Sequence, residues 1–274
     1  MTERRRTEGV TVTRVSGRAG QRTVSRRPDE LIVEEPMSIQ LDGTLVSTTM
    51  RTPGHDDELA VGFCLSEGLL VDAPVTGVRH TADWSAVGSE FNVVNVETGG
   101  RAAVPTPRLG NVSSSCGWCG SAQLDQLYGR LQPLPAVEPM DLGVVGSIAD
   151  SVFDGQGLFA ATGSVHAAAA FDSDGVVLVT REDVGRHNAV DKVVGAMVLG
   201  AAGLPPLPAT GLGLFVSGRA SIEMVQKAWA AGFSTLVAVS APTSLAVEAA
   251  RRAGLMLAGF VRDGDFNVYS PEQL

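Results

Sequence analysis

Two cysteines stand three residues apart in Ser113-Ser114-Ser115-Cys116-Gly117-Trp118-Cys119-Gly120. At that spacing they can share a metal ion, close a short disulfide, or work as donor and resolver in sulfur chemistry. Gly117 and Gly120 allow positive φ and keep the loop lean, so a bulky partner can approach the sulfur. A helical pattern starting near Ser121 would bring positive dipole close to Cys119, favouring the reactive thiolate. A structural zinc site would need two further ligands, and the chain holds no second cysteine pair. The loop therefore reads as reactive. The third cysteine, Cys64, sits between Phe63 and Leu65 in an apolar helical stretch and reads as a packing residue.

Three further polar clusters each follow an apolar strand pattern and precede a helical one. They are Arg181-Glu182-Asp183-Val184-Gly185-Arg186-His187-Asn188 with Asp191-Lys192 one turn on, Ser217-Gly218-Arg219-Ala220-Ser221, and Ser240-Ala241-Pro242-Thr243-Ser244. Ligands of open α/β sheets bind at the carboxyl ends of strands, and the free N–H groups of the following helices suit phosphate. Arg186, Lys192 and Arg219 would add positive charge there. Each cluster alone could be a capped helix start; three together favour a phosphate-bearing ligand. His166, in Thr162-Gly163-Ser164-Val165-His166-Ala167-Ala168, reads as a structural histidine near a helix start. Zinc deaminases carry His-x-Glu and a later Pro-Cys-x-x-Cys. Here the glutamate position is Ala168, and Pro242 is followed by Thr243-Ser244, so no metal site is expected.

The elements that must position these groups differ between the two halves. Residues 29–50 and 75–97 read as strands, with Asp42-Gly43 as a hairpin turn and a helix running from Asp56 to Gly68. A short amphipathic helix is expected over Ser121–Leu131, and Pro133, Pro135 and Pro139 mark a boundary. Beyond it, strand-then-helix units repeat: strands at 176–180, 213–217 and 235–240, helices at 186–199, 221–231 and 243–253, then strands at 255–260 and 266–269. That rhythm predicts an α/β sheet with buried strands. The expected division is a disordered basic tail at 1–28, a smaller β-rich N-terminal α+β domain at 29–138 ending in the cysteine loop, and an α/β domain at 139–274.

Composition narrows the partners. The 274 residues are 44% hydrophobic and 19% charged, an ordinary globular balance with no apolar run of membrane-spanning length. Residues 1–28 hold eight arginines against Glu3 and Glu8, a net of +6, which leaves −15 of the total −9 on the remainder. A body this acidic argues against nucleic acid as a partner. The first residues, Met-Thr-Glu-Arg-Arg-Arg, do not read as a secretory signal, so a cytoplasmic protein is expected. Only two lysines occur, Lys192 and Lys227, against 19 arginines.

From about residue 29 onward the chain resembles the formate dehydrogenase accessory sulfurtransferases, the FdhD family. The resemblance rests on Ser114–Gly120, Thr162–Ala168, the long Glu182–Lys192 stretch, Val216-Ser217-Gly218-Arg219, Ser240-Ala241-Pro242-Thr243, and Gly259-Phe260-Val261-Arg262 with Val268-Tyr269. It implies a cytidine-deaminase-like α/β domain behind a smaller N-terminal one, as a homodimer. It implies a sulfurtransferase that accepts persulfide sulfur from a cysteine desulfurase on Cys116, with Cys119 assisting or resolving. The sulfur would pass to the bis-guanine-dinucleotide molybdenum cofactor, bound as substrate, before that cofactor enters the formate dehydrogenase catalytic subunit. The segment Phe260-Val261-Arg262-Asp263-Gly264-Asp265 falls where the family binds the cofactor. Asp263 and Asp265 leave Arg262 and backbone N–H groups to make the anion contacts. Arg186, His187, Lys192, Ser217, Gly218 and Arg219 complete the expected binding set. Rival readings are a thiol–disulfide oxidoreductase, a cofactor-holding chaperone that transfers nothing, and a zinc hydrolase of the deaminase class.

Overall fold

The computed structural model describes residues 5–81, 92–103, 128–201 and 203–273. The Cys116–Cys119 loop and most of the helix expected after it lie outside these residues.

Where a disordered tail was expected, the chain forms a hairpin: β1 (Thr7–Ser16) pairs antiparallel with β2 (Thr23–Ile32) over ten residues each. The charge of this segment suits a tail, but its residues also alternate as a strand's do. Val10, Val12 and Val15 interleave with threonines and an arginine, a pattern that suits a ribbon whose arginines stay in water.

The next pair is β3 (Glu35–Leu41) and β4 (Thr44–Arg51). The turn between them falls at Asp42-Gly43 as expected, with both residues at positive φ (46° and 83°), as a type I′ turn requires. With β5 (Gly77–Thr81) and β6 (Val93–Glu97) they make a four-stranded sheet ordered β4-β3-β6-β5. Helix α1 (Asp56–Ser66) carries Asp56, Asp57 and Glu58 in its first turn, where the dipole favours them. It buries Leu59, Val61 and Cys64 against Met37, Ile39, Val94 and Val96. Cys64 is thus a core residue, as its neighbours implied, and burial together with the Asp191 and Glu67 charges pushes its thiol up to about 12.

The second sheet has six strands in the order β12-β11-β10-β9-β7-β8. These are β7 (His166–Phe171), β8 (Val177–Asp183), β9 (Gly213–Val216), β10 (Thr235–Ala238), β11 (Met256–Arg262) and β12 (Asp265–Ser270). Strands β9, β10 and β11 run parallel; β7 runs antiparallel to both its neighbours, and β12 runs antiparallel to β11. On one face Ala168, Ala170, Leu214, Val216, Leu236 and Leu257 pack under α4 (Arg186–Val198), α5 (Ile222–Ala231) and α6 (Ser244–Ala253). On the other face Ala169, Phe171, Phe215, Val237 and Ala258 pack under α2 (Leu142–Phe153). Alternate residues of one strand thus serve opposite faces. Short α3 (Gly157–Thr162) precedes β7.

Helix α2 has no counterpart among the elements expected from sequence, and a strand stands where a helix start was expected near His166. Asp141 caps α2 by accepting the N–H groups of Gly143 and Val144, while His166 opens strand β7. The run Ala167–Ala170 is poor in β-formers. Burial on both faces, not propensity, makes it a strand.

Helix α1 also crosses α4 at close range. A Cβ on Gly62 would collide with the Asp191 carbonyl, and one on Gly195 with the Glu58 carbonyl. The two sheets therefore meet across a helix pair spaced by glycines.

Candidate functional site: the strand ends of the six-stranded sheet

Strand direction gathers the polar clusters. Because β7 opposes its neighbours, its first residue lies beside the last residues of β8 and β9: His166 pairs with Asp183 and Ala168 with Val216. The parallel strands β9, β10 and β11 end on that same edge. His166, the start of α4, Ser217–Ser221, Ser240–Thr243 and Phe260 therefore share one edge of the sheet.

Backbone bonds stitch the loops together. Ser217 N–H donates to the Ala167 carbonyl at 2.9 Å, Ser240 N–H to the Gly218 carbonyl at 3.3 Å, and Thr243 N–H to the Ala220 carbonyl at 3.0 Å. Phe260 N–H donates to the Ser240 carbonyl at 3.4 Å. Ser217 Oγ accepts Ala167 N–H at 2.9 Å and lies 3.3 Å from His166 Nδ1. A Cβ on Gly218 would lie 3.3 Å from Arg186 Cδ and 3.6 Å from His166 Nδ1, so both side chains sit close against this glycine.

The charge at this edge is specific. Arg186 Nε is buried without a hydrogen-bond partner among the described residues, and so is Ser221 Oγ at the start of α5. Neither Gly185 nor Ser221 caps its helix through a side chain, which leaves donors at both helix starts. Burial, then the charges of Lys227, Arg186 and His166, pull the His187 imidazole down to about 3. Burial and Arg186 lower His166 also, against Asp183. Both rings are neutral near pH 7, each with one donor and one acceptor nitrogen. Arg219 is exposed. Such an edge can hold an extended anion and hydrogen-bond its polar groups.

Other expected residues are placed differently. Lys192 is fully buried, with Nζ 2.6 Å from Asp183 Oδ2 and donating to the Thr52 carbonyl at 2.9 Å, so its ammonium is taken up within the fold. Glu182 accepts the Leu158 and Phe159 N–H groups at 3.0 and 2.8 Å and caps α3. Val261 is a core residue facing α2. Arg262, Asp263, Gly264 and Asp265 form the β11–β12 turn, where Arg262 Nε lies 3.3 Å from Asp263 Oδ2 in full exposure. Phe260 has φ 58° and its ring is 49% exposed at the strand end. A bulky side chain held at positive φ is a strained arrangement that surrounding structure must enforce. Among the described residues no group of three or more His, Cys, Asp and Glu side chains could hold a metal ion.

His166 is the residue whose place at this edge the sequence concealed. Its contact with Ser217 spans 51 positions, and only the β7–β9 pairing creates it.

Comparison with known proteins follows this geometry. A structure from Desulfotalea psychrophila, assigned as a formate dehydrogenase accessory protein, superposes with a TM-score of 0.73 over 97% of this chain and 99% of its own, at 23% identity. The mixed α/β fold with several sheets is thus shared. A guanine deaminase from Nitrosomonas europaea superposes with a TM-score of only 0.28 over 56% of this chain, too low to bear on the fold. The sulfur carrier protein FdhD of Anaeromyxobacter dehalogenans is 43% identical over 93% of each chain. That of Streptomyces coelicolor is 43% identical over 90% of this chain and 89% of its own, and that of Nocardia farcinica 45% over 89% and 88%. The model of the FdhD/NarQ family matches residues 32–274. With nine-tenths of its length matched in this way, the chain belongs to the FdhD/NarQ family.

Proposed function

We propose that this chain is a cytoplasmic sulfur carrier that serves formate dehydrogenase. Cys116 thiolate attacks the terminal sulfur of a cysteine desulfurase persulfide, forming Cys116–S–S⁻ and releasing the desulfurase thiolate. Cys119 thiolate then attacks Cys116 Sγ. A Cys116–Cys119 disulfide closes and sulfide leaves, so the sulfane sulfur gains the two electrons that the two thiolates give up. The recipient is the molybdenum cofactor in its bis-guanine-dinucleotide form, bound as substrate and later inserted into the formate dehydrogenase catalytic subunit. A homodimer is part of this reading, as is a cytidine-deaminase-like fold for the 139–274 half. Both rest on the resemblance.

The observation that carries the substrate side is the row of groups along the strand ends. The row crosses four strands, β7, β9, β10 and β11, so three strand spacings give a span of roughly 14 Å. A single phosphate needs far less. A dinucleotide fits that length, with Arg186 and the helix starts toward its phosphates and Phe260 open to a base. The likeness to sulfur carrier proteins supports the sulfur side.

The test is intact-mass spectrometry after incubation with a cysteine desulfurase and free cysteine. A reductant-sensitive gain of one sulfur (~32 Da) on wild type but not on Cys116→Ala is expected from a reactive thiolate. Wild type that gains no sulfur beside an active desulfurase would overturn the carrier reading and leave a protein that only holds the cofactor.

A further inference from the structure

Asp183 ends β8 with a fully buried carboxylate. Its Oδ1 accepts Gly185 N–H at 2.8 Å and Asn188 Nδ2–H at 2.9 Å, both at the start of α4. Its Oδ2 accepts Thr52 N–H at 3.1 Å and pairs with Lys192 Nζ at 2.6 Å. One side chain thereby ties together a strand end, the helix that bears Arg186 and His187, and the turn between β4 and α1 under the other sheet. Thr52 answers from that turn. Its Oγ1 accepts Val184 N–H at 3.1 Å, and its carbonyl accepts Lys192 Nζ at 2.9 Å. Asn188 Nδ2 also donates to the Met50 carbonyl at 2.8 Å.

Capping a helix takes one or two such bonds. Here a saturated, charge-assisted network in a buried seam fixes the first turn of α4 in both position and rotation. Arg186 and His187 follow Asp183 by three and four residues, so they cannot swing from the strand ends without breaking bonds to the β4–α1 turn.

Resting on the reading of that edge as an anion site, we propose that Asp183 is a positioning residue: it locks the start of α4 to the Thr52 turn so that Arg186 and His187 are presented to the ligand. All four of its partners are internal, so it touches no ligand itself. The β4–α1 turn, far from the strand ends in sequence, becomes part of the site's support.

The test compares Asp183→Asn with Asp183→Asn/Lys192→Met. The second removes both charges of the pair and guards against misfolding from a stranded ammonium. Thr52→Val, which deletes one hydrogen bond and no charge, is a milder probe of the same lock. The readouts are the imidazole NMR titration of His187 and the dissociation constant for GDP. Burial first, then the charges of Lys227, Arg186 and His166, hold the His187 imidazole low, so a changed titration reports that the ring has left that setting. In the folded variants the His187 midpoint is expected to rise by roughly one pH unit or more toward its ordinary range, and GDP affinity to fall about tenfold. A folded variant with unchanged His187 titration overturns the proposal, whatever its stability. Should wild type fail to bind GDP while the His187 midpoint still moves, the ligand reading fails and the positioning role stands.

Discussion

Lys227 Nζ lies 2.8 Å from both carboxylate oxygens of Asp191, in the seam where α5 meets α4 and α1. Ser66 Oγ of α1 donates to Asp191 Oδ1 at 2.9 Å, and Gln226 Nε2 donates to the Ser66 carbonyl at 3.1 Å. Burial raises the Asp191 carboxyl to about 6, against the lowering by Lys227. Lys227→Met strands this carboxyl without its counter-charge. The loss of stability should be about 3–5 kcal/mol at pH 8, the cost of a broken buried pair. It should be smaller at pH 5. The native-state pKa then lies well above the unfolded one, so stability is present at low pH and is lost as pH rises past the unfolded value near 4. Urea unfolding at the two pH values checks the sign.

Glu58 and Arg181 have the opposite pH dependence. Arg181 grips the Glu58 carboxylate with Nε at 2.5 Å and Nη2 at 2.7 Å, joining α1 to β8. Burial pushes the Glu58 carboxyl up, but hydrogen bonds and charge from Arg181 and His55 outweigh it and leave it at about 2, below its ordinary value of 4.5. A depressed folded pKa stabilises above the unfolded value and loses that stability as pH falls toward 2. Glu58→Gln should cost on the order of 2–3 kcal/mol at pH 7 and flatten the decline below pH 4.5. Thermal melts from pH 2 to 7 would show a steeper acid limb in wild type; parallel curves would refute the assignment.

The glycine crossing is the least forgiving contact. Gly62→Ala and Gly195→Ala each drive a methyl group into a backbone carbonyl of the facing helix, which has no rotamer to yield. Each should cost about 3 kcal/mol or more. Their double variant should cost less than the sum, because a single shift of α1 relieves both clashes. Urea midpoints for the three variants give the answer.

Both lysines of the chain are buried, Lys192 at 0% and Lys227 at 3% exposure, and so is the Cys64 thiol at 0%. An amine-reactive ester applied to the native protein at pH 8 should therefore spare both lysine side chains, and iodoacetamide should spare Cys64. All three should react in urea. Peptide mass mapping separates the cases, and labelling of Lys192 in native buffer would show that the seam opens.

At the strand ends, Arg186→Ala should weaken GDP binding roughly ten- to a hundredfold, the worth of a charge-assisted hydrogen bond. Arg262→Ala should change it less than threefold if the exposed Arg262–Asp263 pair only decorates the turn. Cys116→Ala should leave GDP binding intact while abolishing sulfur loading. Titration calorimetry at fixed salt measures all three. Equal losses for Arg186→Ala and Arg262→Ala would extend the ligand across the turn.

What the sequence determined by itself was local. Asp42-Gly43 fixed a turn because two adjacent positive-φ residues admit little else. Continuous apolar runs marked β9, β10 and β11 as buried strands, and the polar residues after β9 and β10 marked where α5 and α6 begin. The spacing of the cysteine pair pointed to a reactive loop, and the resemblance carried by the order of the motifs implied sulfur transfer. Tertiary structure decided the rest, because those outcomes depend on which distant segment comes alongside. Val10, Val12 and Val15 gain meaning only once β2 pairs with them. The alanines after His166 form a strand only because the sheet is covered on both faces. Lys192 reads in sequence as a cation for an anion site, yet α4 turns it into the seam, where Asp183 and the Thr52 carbonyl hold it. His166 reaches Ser217 only through the antiparallel insertion of β7 between β8 and β9. A sequence carries its periodicities and turn chemistry openly. Strand order and buried charge pairing arise from contacts between residues dozens of positions apart, and no local pattern encodes them.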